Sequence, residues 1–143
     1  MVGLRRLAVT LAGPVGWAGL VGLLGPLGCD PKDDRARVMS GIERLRSIPP
    51  EDAEERLRLA SELRKVPLDD DASIQARDAC AKAYQTSGEL FQLIDRLEAT
   101  TKSKGPVDNP KLLAAQFREA ENLEGVARDE LEVCERAVQA LRL

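Results

Sequence analysis

The sequence predicts an all-α protein: a small bundle of about four helices, dominated by a long antiparallel helical hairpin. Three observations point to it. No stretch sustains the period-2 alternation of β-branched residues that a half-buried strand requires. Apolar residues recur instead at helical spacings of three and four. Breaks rich in proline, glycine or aspartate separate four such runs, within a chain of 143 residues that suits one small domain.

The first run extends from about Asp33 to Arg46, with Val38, Met39, Ile42 and Leu45 on one side, and Ser47-Ile48-Pro49-Pro50 ends it. The second extends from about Pro50 to Lys65. Proline suits a first helical turn, and Glu51, Asp52, Glu54 and Glu55 suit the positive end of the helix dipole. Its apolar stripe is Ala53, Leu57, Ala60 and Leu63, widened by Leu59 and Val66. Pro67 and Asp69-Asp70-Asp71 make the next break. The third run covers about Asp71 to Lys102 and the fourth about Asn109 to Leu141. Between them Gly105-Pro106 and Asn109-Pro110 signal a turn, with Asp108 or Asn109 as a cap and Pro110 in the first turn. Each long run holds one interior glycine, Gly88 or Gly125, at about 1 kcal/mol against alanine, so a kink or fraying is expected at Thr86-Ser87-Gly88.

Folding the two long runs back on each other about Val107 sets Ala76 against Val138, Cys80 against Cys134 and Ser87 against Ala127. Further along it sets Phe91 against Leu123, Ile94 against Ala120 and Leu97 against Phe117. The facing residues are nearly all apolar or small, as an antiparallel packed seam requires. Gly88 and Gly125 also come nearly opposite each other, which suggests a close backbone approach.

The ends of the chain differ in composition. Only two charges, Arg5 and Arg6, fall in residues 1–28. All 24 acidic residues and 19 of the 21 basic ones follow, so the body is more acidic than the whole chain's −3. A short basic start, an apolar stretch and a small residue ahead of a cysteine read as a targeting segment. The 22 uncharged residues from Leu7 to Gly28 are also just long enough to span a bilayer. Composition alone leaves both a cleaved signal and a retained anchor open.

Leu24-Gly25-Pro26-Leu27-Gly28-Cys29-Asp30 resembles the lipobox of bacterial lipoprotein precursors. Cys29 fits the lipid acceptor and Gly28 the small residue before it; Pro26 and Leu27 depart from the usual leucine and small residue. The resemblance implies a signal peptide over residues 1–28, a lipidated Cys29 in a short tether over 29–33, and a bundle domain over 34–143. It also implies a membrane partner through the covalent lipid and a place in the bacterial cell envelope, with inner and outer membrane both open.

The register and the compartment together bear on the other two cysteines. In a reducing cytosol Cys80 and Cys134 would be small core residues. In an exported protein, facing seam positions read as a disulfide, since they can meet the required Cα separation.

Catalytic chemistry is sparse. The absence of histidine excludes imidazole-based triads and HExxH zinc sites. The acidic body disfavours nucleic acid as a partner, and four aromatic residues are too few for base-stacking platforms. No P-loop, GxGxxG or CxxC occurs. Asp69-Asp70-Asp71 lacks EF-hand spacing and reads as the cap of the third helix. Glu119-Glu121-Glu124 and Asp129-Glu130-Glu132-Glu135, beside Arg118, Arg128 and Arg136, read as a solvated salt-bridged surface. Tyr84, Phe91 and Phe117 read as core packing. No catalytic residue, metal or cofactor is expected. The expected function is binding or scaffolding, as an accessory to another envelope protein. Alternatives are a purely structural envelope lipoprotein or a pilotin-like chaperone for a secretion pore, which resembles this chain in architecture alone. An apolar groove between the second helix and the hairpin would favour the pilotin-like reading.

Overall fold

The computed structural model describes residues 31–102 and 109–143, and within them the chain is an all-α bundle of four helices. These are α1 (Pro31–Arg46), α2 (Ala53–Arg64), α3 (Asp71–Lys102) and α4 (Pro110–Arg142). The two long helices form the expected antiparallel hairpin. α3 touches all three other helices, and α4 packs chiefly on α3. At 32 residues, α3 is about 48 Å long.

Local chemistry sets the boundaries. α1 starts two residues ahead of the expected Asp33, with Asp33 and Asp34 in its first turn. α2 starts at Ala53 and not at Pro50, because the Asp52 side chain accepts the Glu55 amide at 3.3 Å and takes the capping position. Pro49 and Pro50 are left in the turn, which the Asp52 amide closes on the Pro49 carbonyl at 3.1 Å. Asn109 caps α4 by accepting the Leu112 amide at 3.0 Å, with Pro110 in the first turn.

The core lies at one end of the hairpin, where α1 and α2 cover it. Val38, Ile42 and Leu45 of α1 are wholly buried against Leu59, Leu63, Ala76, Cys80 and Val138. Each such aliphatic side chain contributes about 1.5–3 kcal/mol. α1 runs parallel to α3: Asp34 meets the start of α3, and Arg46 reaches Glu135 of α4 at 2.6 Å. α2 runs antiparallel to α3, with Leu57 over Gly88 and Arg77 donating to the Val66 carbonyl at 2.9 Å.

The base of the hairpin keeps the expected register. Ala76 and Val138 are buried, as are Ser87 and Ala127. The tip departs from it. Leu90, Leu93 and Leu97 of α3 are buried, but Phe117 is 47 % exposed. Beyond about Phe91 neither α1 nor α2 covers the hairpin, so each helix buries only the face turned to the other. Gln116, Ala120 and Leu123 hold that face on α4, and Phe117, one residue on from Gln116, is rotated out by about 100°.

The two interior glycines also part company. α3 runs unbroken through Thr86-Ser87-Gly88, without the expected kink or fraying. A Cβ on Gly88 would stand 2.7 Å from Leu57 Cγ, so this glycine admits α2, not α4. Gly125 has nothing within 4 Å of the Cβ it lacks.

Candidate functional site

Of the three cysteines singled out in the sequence, the structure brings two together. Cys80 of α3 and Cys134 of α4 are fully buried and joined as a disulfide, with their Cα atoms 4.6 Å apart. That separation falls within the range a bridge requires. Cys29 lies outside the described residues, as does the rest of the lipobox-like stretch.

A groove of about 580 Å³ lies between α1 and α2. Its floor is apolar, from Leu59, Leu63 and Val66. Its rim is charged, from Arg37 and Arg44 of α1 and Glu62 of α2. Arg37, Gly41 and Arg44 follow at spacings of four and three and so share one face of α1. Gly41 shapes the floor: a Cβ there would stand 2.8 Å from Leu63 Cδ1. Glu62 accepts from Arg58 and Arg37 donates to Asp34, so both rim groups are already partnered within the fold. Between α2 and α3 the depression is smaller, about 370 Å³, and Leu57 is its one large apolar residue beside Arg64, Lys65 and Gln85. The apolar groove therefore sits on the α1 side of α2, not on the hairpin side.

Two buried polar groups organise this end of the molecule. The Asp34 carboxylate is 1 % exposed. It accepts the backbone amides of Asp69 and Asp70, at 2.7 and 3.1 Å, and pairs with Arg37. These donors, the Asp69 amide foremost, hold its pKa below the usual carboxylate range against the opposing effect of burial. Asp70 in turn accepts from the amide and hydroxyl of Ser73, at 2.9 and 2.7 Å, and caps α3. The aspartate triplet thus caps the third helix as its sequence suggests. Among the described residues no group of three or more histidine, cysteine, aspartate or glutamate side chains is arranged to hold a metal ion.

Arg56 of α2 is the second group, buried with no carboxylate in ion-pair contact among the described residues. It donates to Ser87 Oγ at 3.0 Å and to the Ile48 carbonyl at 2.9 Å, between the rings of Tyr84 and Phe91 at 5.6 and 5.7 Å from their centroids. Burial lowers its pKa, but an arginine remains charged. The same burial raises the Tyr84 phenol.

No family model matches this chain, and no curated protein or solved structure matches it.

The acidic runs of α4 are partly salt-bridged, as expected. Arg128 pairs with Glu124 at 2.9 Å along the helix, whereas Glu130 and Glu135 reach across to Lys82 of α3 and Arg46 of α1. Tyr84 is buried and Phe91 half-buried, in keeping with a packing role; Phe117 is not. Asp34 and Arg56 escape a sequence reading because charged residues on helices read as solvated. Their signal is spacing. Asp34 stands four residues before Val38 on the buried face of α1, and Arg56 three after Ala53 and four before Ala60. No described helix is long and apolar enough to cross a membrane.

Proposed function

We propose that this is a lipid-anchored accessory protein of the bacterial cell envelope, attached through Cys29, which binds or scaffolds another envelope protein. The observation that carries the reading is the position of Cys29. It closes a lipobox-like stretch, and Asp30 alone separates it from the first residue of α1. A lipid on Cys29 would hold the base of the bundle within about 7 Å of the lipid headgroups at full extension of that link. Each buried methylene is worth about 0.8 kcal/mol and one chain binds only marginally, so two or three acyl chains make the attachment lasting.

Two features support the reading. Disulfides persist in exported proteins and are rare in a reducing cytosol, and Cys80–Cys134 crosslinks the fold core. The groove between α1 and α2 combines an apolar floor with a charged rim, the pattern of a surface that takes a side chain or helix edge of a partner. The proposed role is non-catalytic.

Metabolic labelling with an alkyne palmitate analogue tests the anchor. The wild type should label and partition with membranes, and Cys29→Ala should do neither; an unlabelled wild type contradicts the anchor. Affinity capture from envelope fractions tests the role. A partner retained by the wild type and lost with Arg44→Glu at the groove rim supports binding there, and capture unaffected by that change contradicts it.

A further inference from the structure

We infer that α4 is a self-association face and that two copies of this chain pair antiparallel along it. α4 turns one stripe away from α3. It begins at Leu112, ends at Leu143 and steps by alternating threes and fours, and each position on it is exposed. Its large apolar members within the helix stand well clear of the fold: Leu112 is 55 % exposed, Val126 46 % and Val133 44 %. Exposed aliphatic residues scattered singly need no explanation, but a row at seam spacing does.

The stripe matches itself when turned end for end. Leu112 then meets Leu143 of the second copy, Ala115 meets Ala140, and Glu119 meets Arg136. A two-fold axis between positions 127 and 128 makes every contact occur twice, as a self-complementary interface requires. Nearer the axis Asn122 comes level with Val133 and Val126 with Asp129, and the diagonals bring Asn122 to Asp129 as donor to acceptor and Val126 to Val133. Gly125, with open space where a Cβ would be, lies beside the axis and lets the second helix approach closely.

Charge selects the direction. A parallel pair would set Glu119 and Arg136 each against its own copy. The antiparallel pair sets Glu119 against Arg136 twice. Among the described residues neither takes part in an ion pair within its own chain, so both are available. Such complementarity fixes register and orientation more than it adds affinity. The size is adequate. A helix of 33 residues offers a stripe of roughly 500 Å² per copy, about 1,000 Å² in all, the lower bound for a specific pair. The pairing does not depend on the anchor. Where the anchor is present, the two bases lie at opposite ends of the pair, so the helices lie along the membrane.

Sedimentation equilibrium of the full chain in a density-matched detergent tests the proposal. The wild type should be a dimer. Glu119→Arg alone, or Arg136→Glu alone, should weaken the dimer at least about tenfold, since each sets like charges together twice. The double variant Glu119→Arg/Arg136→Glu should restore it. All three changes are at exposed positions, and unchanged helicity by circular dichroism would confirm that the fold persists. A monomeric wild type overturns the proposal. So does a dimer indifferent to the single reversals, or one that the double variant fails to restore.

Discussion

Asp34 shows how a single carboxylate can join three elements. It sits on α1, accepts two amides from the α2–α3 connection, and so fixes where α3 begins. Its pKa is depressed in the folded protein, so its contribution to stability is present above the ordinary aspartate range and is lost as pH falls below about 4. Thermal melts across the acid range should therefore show a steeper loss for the wild type than for Asp34→Asn, which should also melt lower at neutral pH. Parallel acid profiles would contradict this role. The glycines give a paired test. Gly88→Ala should destabilise by about 1–3 kcal/mol through its clash with Leu57, whereas Gly125→Ala, which meets nothing within its own chain, should stabilise the unpaired chain by about 0.5–1 kcal/mol through helix propensity, read at a concentration below that of self-association. Chemical denaturation of the two variants distinguishes them. Arg56→Ala should cost about 2–4 kcal/mol in the same assay, because it orphans the Ile48 carbonyl and Ser87 and opens a gap between Tyr84 and Phe91.

At the scale of elements the four helices were legible because their signals are local. Asp70 and Asn109 each supply a capping oxygen at a break that the sequence marks, whereas Asp52, read as part of the first turn, is itself the cap of α2. The seam of the hairpin was legible near its base, where covering helices force both faces to be apolar and so write the register into the sequence. Towards the tip that pressure lapses. Phe117 looks like a seam residue by type but not by rotation, and aromatic character alone cannot tell the two apart. The position of the groove was not legible either. Which side of α2 stays open depends on the packing of Leu63 against Gly41, a pairing of two short helices that no periodicity reveals. The disulfide joins residues 54 positions apart and should stabilise the fold by about 4 kcal/mol through the unfolded chain. Denaturation with and without reductant measures it; equal midpoints would contradict it.

The whole molecule divides into a base and an arm. The base holds the core, the disulfide, the buried charges of Asp34 and Arg56 and the start of α1. The arm is two helices whose outer residues include Leu112 and Phe117. The proposed lipid would act at the base, because α1 begins so soon after Cys29. Intact-mass spectrometry of protein purified without reductant from a lipoprotein-processing bacterium tests attachment and crosslink together. The expected mass is that of a chain beginning at an acylated Cys29, less the two hydrogens lost in forming Cys80–Cys134. A chain with Cys29 unmodified, or with Cys80 and Cys134 free, would contradict the account.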